Sequence, residues 1–332
     1  MSDEEARPAE LPGIEVFTPR DVPLGGPRAM TVRRTLPQRS RTLIGAWCFA
    51  DHYGPDDVAA TGGMDVAPHP HTGLQTVSWL FSGEIEHRDS LGTHAYVRPG
   101  ELNLMTAGHG ISHSEVSTER TTVLHGVQLW VALPGEHRNT RADFQHHVPG
   151  SVRVGGAEVS VFLGTLAGVT SPVRTFSPLL GAEIVLGPGA TATLAVDPAF
   201  EHGLLVDHGT VRLSGTPLRP ADLGYAAPGR DRLTLTNTSD TPARTVLLGG
   251  TPFEEEIVMW WNFVGRSQQD VEEARRDWMT GSSSDSRSGS GSGYGYGSRS
   301  GSRFGEVRGY DGDRLPAPEL PTVGLKPRGR VR

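Results

Sequence analysis

Two short segments carry the chemistry that this chain can be read for. They are Pro68-His69-Pro70-His71 and, some forty residues on, Gly110-Ile111-Ser112-His113-Ser114-Glu115. Each holds two metal-ligand residue types at i and i+2. On a β-strand, residues two apart point to the same face. Two neighbouring strands would then aim His69, His71, His113 and Glu115 into one space. Three imidazoles and a carboxylate suit a divalent transition metal: Fe, Mn, Cu, Ni or Zn. The single cysteine, Cys48, sits in the apolar run Leu43–Phe49 and reads as a buried core thiol, so no thiolate set favours zinc or Cu(I). Four protein donors on an octahedral ion leave two positions open, the arrangement of a catalytic or sensing site.

Other histidines of the same region, His52, His87, His94, His109 and His125, read as surface residues, hydrogen-bonding residues or supports behind the ligands, and not as ligands. His109 is the best candidate to support a ligand from behind, because a glycine on either side lets its backbone bend close. The run His87-Arg88-Asp89-Ser90 reads as a tied turn. No serine or cysteine nucleophile motif, dinucleotide fingerprint or phosphate loop is present.

The elements that must position these donors are strands. Segments rich in Val, Leu, Ile and Thr, such as Thr76–Phe81, Thr122–Leu133, Val159–Leu163 and Thr245–Leu248, alternate with turns such as Ser82-Gly83-Glu84 and Gly187-Pro188-Gly189. The expected class is all-β, a sandwich or barrel. Two blocks are expected, with a weak internal echo of strand, Gly turn, strand, Pro-Gly between them. Residues 1–24 form an N-terminal extension, 25–134 the metal-binding barrel and 135–150 a polar connection without β pattern. Residues 151–279 form a second barrel without metal, followed by one helix. That helix starts at a capping box, Ser267-Gln268-Gln269-Asp270, with Val271, Ala274 and Trp278 at helical spacing. Ile257–Val264 reads as one buried strand. Residues 280–303 are a Gly/Ser-rich linker expected to be disordered, and 304–332 a tail able to dock back.

The chain has 332 residues and a formal net charge of −7, which argues against a broad nucleic-acid footprint. No segment approaches the ~20 apolar residues of a membrane span. The polar, acidic N-terminus is no secretory signal. With one cysteine, a cytoplasmic location is expected.

At these residues the chain resembles the pirin family of the cupin superfamily. The resemblance rests on RRTLPQRSRTLIGAWCFADHYGP (33–55), PHPHTGLQTVSWLFSGEIEHRDSLG (68–92), VRPGELNLMTAGHGISHSEVS (97–117) and GGTPFEEEIVMWWNFVGRSQQDVEEARRDW (249–278). It implies a bicupin: two packed antiparallel β-barrels (double-stranded β-helices), with metal only in the N-terminal one. It also implies Fe(II) as the metal and His69, His71, His113 and Glu115 as its ligands. One departure stands out. Where the general cupin motif carries Glu shortly after His-x-His, this chain has Gln75, an amide that cannot exchange a proton near neutral pH. Gln75 is therefore a neighbour of the ligands, and Glu115 the one carboxylate left as a base.

The resemblance implies one of two activities. Some pirins resemble quercetinases and open a flavonol-like small molecule with dioxygen, releasing carbon monoxide. Others are non-enzymatic, iron-dependent redox sensors that regulate a protein partner in transcription or metabolism. Neither needs direct nucleic-acid or membrane binding.

Overall fold

The computed structural model describes residues 11–23, 30–281 and 302–330. The fold is mostly β and comprises two cupin-like units. One holds Ile44–Trp47 and Pro149–Phe253 with the described N-terminal residues to Arg20. The other holds the described parts of Asp21–Leu43, Cys48–Val148 and Glu254–Arg332.

The second of these units contains a seven-stranded sheet and a four-stranded one. The larger runs Asp143–His147, Leu102–Thr106, Leu74–Ser82, Val123–Ala132, Trp47–Asp57, Thr31–Leu36, Arg20–Pro23. The smaller runs Asp65–His71, Ile111–Ser117, Ile85–Asp89, His94–Val97. Apolar side chains of both contribute to a core that includes Val32, Leu80, Ile85, Val97 and Leu124. The unit built on Pro149–Phe253 repeats the pattern, again with sheets of seven and four strands. Its core is a separate cluster that includes Val159, Ile184, Leu204, Leu235 and Leu247.

Asp65–His71 lies at the edge of its sheet. Its sequence explains why: Pro68 and Pro70 have no N–H to give a second neighbour, so the strand fits an edge and not a centre. Its free side is not left open. Leu315 N donates to Pro68 O at 2.9 Å, so the chain's C-terminal segment covers it.

Three elements differ from the sequence expectation. The polar stretch 135–150 contains a strand, Asp143–His147, which pairs with Leu102–Thr106. Its side chains are half-buried or exposed, so no apolar alternation announces it. Ile257–Val264 is not one strand but a tight hairpin of Val258–Trp260 and Phe263–Gly265, turned at Trp261 with φ of 50°. The helix Gln268–Thr280 carries the expected capping box and buries Val271, Ala274 and Trp278. It lies, however, in the unit of the His-rich sheet, not with Pro149–Phe253. Its apolar face meets Phe304, which is fully buried and stands edge-on to Trp278 at 5.6 Å. Most of the expected linker, 282–301, lies outside the described residues.

Phe304 anchors the segment that covers the ligand-bearing strands. Phe304→Ala should destabilise the protein by about 3–5 kcal/mol, read as a lowered urea midpoint. A change below about 1 kcal/mol would mean that the segment is not anchored there.

Candidate metal centre

The pairing of Asp65–His71 with Ile111–Ser117 sets the geometry. His71 stands opposite Ile111 and His69 opposite His113. The register then slips by one, so that Glu115 faces Val66: three residues of one strand span two of the other. The extra residue falls at Ala67–Pro68, a β-bulge. Its local effect is visible in the Ala67 carbonyl, which lies 2.9 Å from His69 Nδ1. A carbonyl can only accept, so His69 Nδ1 carries the hydrogen and Nε2 keeps its lone pair.

His69, His71 and His113 each offer a ring nitrogen, and these lie within 4.8 Å of one another. Ring centroids are 4.4 Å apart for His69–His113, 4.9 Å for His71–His113 and 5.0 Å for His69–His71. All three are buried. Burial disfavours the charged form and, against the hydrogen bond to Ala67 and with a smaller push from His87, brings His69 down to about 4. The same cause, reinforced by neighbouring histidines, holds His71 and His113 well below the usual range. His71 also feels the Asn262 backbone, which acts weakly in the opposite sense but without hydrogen-bond geometry. Neither ring nitrogen of His71 and not Nε2 of His113 finds a hydrogen-bond partner. Neutral imidazoles with unused lone pairs, gathered in one dry place, are a donor set for a metal ion; a buried polar atom without a partner is otherwise costly.

Glu115 is buried on the same strand face as His113 but is not in the 4.8 Å group. Its Oε1 lies 3.3 Å from Ser78 Oγ, whose hydroxyl is closer to Gln128 Oε1 at 2.9 Å. One hydroxyl hydrogen serves two acceptors, so Glu115 is loosely held. Burial raises its pKa, against the smaller pull of His87 and Ser78. Gln75 is fully buried; its Nε2 donates to Thr106 Oγ1 at 2.9 Å and its Oε1 has no partner. His109 is not brought to the cluster. Its side chain is exposed, its N–H donates to Thr140 O at 3.0 Å, and it lines a separate depression with Arg138, Asn139 and Arg303. The flanking glycines build a turn that carries it outward.

Sequence reading leaves His87 among several possible supporting histidines; the structure gives it a specific partner. On Ile85–Asp89, His87 stands opposite Glu115 and Asp89 opposite His113. His87 Nδ1 is 3.3 Å from His113 Nδ1, and His87 Nε2 is 3.2 Å from Asp89 Oδ2. Asp89 also ties the turn, as read from the sequence: its Oδ1 accepts from the N–H groups of Leu91 and Thr93. Burial pushes the Asp89 carboxyl up, yet the hydrogen bonds from His87 and Thr93 hold it below the usual value. The signal was available, since His87 and Asp89 are a third pair at i and i+2.

Beside the cluster, His71 meets the edge of Trp130 at 5.3 Å, and Trp130 stacks on Phe49 at 4.1 Å. The C-terminal segment touches the other ligand strand too: Ser112, between Ile111 and His113, donates through Oγ to Phe304 O at 2.9 Å. The unit built on Pro149–Phe253 has no such His-rich group of its own among the described residues.

Residues 29–131 match the family model described as Pirin, and 181–284 that of the Pirin C-terminal cupin domain. A Pseudomonas aeruginosa protein, provisionally named a quercetin 2,3-dioxygenase, is 43% identical over 310 residues, covering 93% of this chain and 91% of its own. A Pirin-like protein of Caulobacter vibrioides is 37% identical over 277 residues, covering 80% and 93%. Among solved structures, a quercetin 2,3-dioxygenase from Acinetobacter baumannii superposes with a TM-score of 0.84 at 36% identity, covering 95% of this chain and 97% of that one.

The depressed histidine pKa values set a pH dependence for the metal-free protein. Between the ordinary value of 6.5 and about 4, the unfolded chain binds protons that the folded cluster refuses. Stability is therefore full above that window and is lost as pH falls through it. Thermal midpoints of the metal-free chain should drop through the window, and a His113→Gln variant should drop less steeply. Parallel curves would mean that the cluster does not contribute.

Proposed function

The chain belongs to the pirin family, and from that premise we propose that it is a quercetin 2,3-dioxygenase-like enzyme, opening a flavonol or similar small molecule with dioxygen. The observation that carries the reading is the cluster of three buried imidazoles, in which ring nitrogens of His71 and His113 have no hydrogen-bond partner. It is supported by the 36% identity to a solved quercetin 2,3-dioxygenase along nearly the whole chain.

His69, His71 and His113 would hold the metal, with Glu115 as fourth donor. Iron in its ferrous state is our choice among the metals that such donors accept. When bound, the ion supplies Lewis acidity and a route for electrons between substrate and dioxygen.

The chain's own residues account for the rest. The bulge at Ala67–Pro68 sets His69 with Nε2 inward. Trp130, stacked on Phe49, makes the wall beside His71 aromatic. Burial of the cluster keeps bulk water from it. Glu115 takes the proton of the flavonol 3-hydroxyl. Its loose tie to Ser78 lets it swing from the metal to the substrate hydroxyl. Gln75 cannot share this role, because an amide does not take up a proton near neutral pH; its Nε2 donates to Thr106 Oγ1.

Anaerobic loading with Fe(II), followed by quercetin and air, should bleach the flavonol absorbance and release carbon monoxide. His69→Ala and His113→Ala should abolish both. Glu115→Gln should keep partial metal binding while slowing turnover by roughly 10²-fold or more, the ordinary worth of a general base. Intact quercetin beside a fully loaded site would remove it as a substrate.

A further inference from the structure

The Asp89–His87–His113 contacts admit only one economical arrangement of hydrogens. If His113 gives its Nε2 lone pair to the cluster, its single hydrogen sits on Nδ1. That hydrogen points at His87 Nδ1, 3.3 Å away, which must then be an acceptor. The single hydrogen of His87 is thereby placed on Nε2, where Asp89 Oδ2 receives it at 3.2 Å. Each imidazole then carries one hydrogen, and every donor meets an acceptor. The reverse order would ask His113 to accept at Nδ1 and place its hydrogen on the inward Nε2, blocking that lone pair.

The packing restricts this arrangement further. Asp89 and His87 are buried, and both carboxylate oxygens of Asp89 are used: Oδ1 by the turn, Oδ2 by His87. Phe144 lies against the His87 ring at 4.8 Å, so the ring is held from a second side. The strand register alone brings the chain together, Asp89 opposite His113 and His87 opposite Glu115.

We propose that His87 and Asp89 are positioning residues for the metal centre, forming an ordered hydrogen-bond relay that presents His113 with its hydrogen outward and its Nε2 lone pair inward. The inference rests on the metal reading of His69, His71 and His113. It extends a familiar device, in which a carboxylate orients a ligating histidine, by one intervening imidazole. His87 touches the ligand and not the ion.

Asp89→Asn separates this role from a structural one. The asparagine Oδ1 can still accept from Leu91 and Thr93, so the turn keeps its ties. Its NH2 group then faces His87 Nε2 as a donor and forces the His87 hydrogen onto Nδ1. Two N–H groups now oppose each other between His87 and His113. The expected result is a Zn(II) affinity, read by competition with a chromophoric chelator on the full chain, weakened about 10–100-fold. The visible bands of the Co(II)-loaded chain should shift as well, with the metal-free melting curve near that of the parent.

A second measurement needs no variant. In the Zn(II)-loaded parent labelled with ¹⁵N-histidine, long-range correlations should place hydrogen on Nδ1 of His113 and on Nε2 of His87. Unchanged Zn(II) affinity in a folded Asp89→Asn, or either hydrogen on the other nitrogen, overturns the relay and leaves the metal reading standing. A folded parent that binds neither Zn(II) nor Co(II) overturns the metal reading, and the relay with it.

Discussion

The antiparallel pairing that sets His69 opposite His113 is the contact on which the rest depends. It brings three buried imidazoles together. Three buried rings with unused nitrogens are an unfavourable cluster in a protein that has nothing to place there, each unpartnered group costing about 1–3 kcal/mol. The surrounding strands must hold them against that tendency. Depressed histidine pKa values are the electrostatic record of the same constraint, since charge is refused where solvent is absent.

What holds the pair is largely backbone. Pro68 and Pro70 keep Asp65–His71 at an edge, where a strand is ordinarily open to slippage or to pairing with another chain. Here the edge is closed by the C-terminal segment through Leu315 and Pro68, while Ser112 and Phe304 join that segment to the second ligand strand. The helix Gln268–Thr280 fixes the segment in turn: Trp278 Nε1 donates to Leu315 O at 2.8 Å. Residues nearly two hundred positions from the histidines thus belong to the same unit and steady the same two strands.

Much of this was legible in the sequence because strand parity is a strict rule. His69, His71 and His113 could be placed together from their i and i+2 spacing, and the helix from its capping box and its apolar residues. What was missed has physical reasons. Glu115 obeys parity, yet stands outside the tight group with its oxygen toward Ser78, a matter of side-chain torsion that spacing does not encode. His109 stands away from the cluster because its flanking glycines, which free its backbone, form a turn that faces solvent. His87 could not be singled out among the supporting histidines, because His87-Arg88-Asp89-Ser90 reads as a turn. It is both a strand end and a turn, with Asp89 serving each through a different oxygen. Asp143–His147 escaped because an edge strand with few buried side chains shows no alternation.

The most direct test of the account is where a metal goes. Crystals of the chain loaded anaerobically with Fe(II), measured at the iron absorption edge, should show one anomalous peak. It should be bounded by His69, His71 and His113, with histidine nitrogens at roughly 2.0–2.2 Å and a Glu115 oxygen completing the set. A peak elsewhere, or a fully loaded crystal with no peak among these three imidazoles, would contradict it.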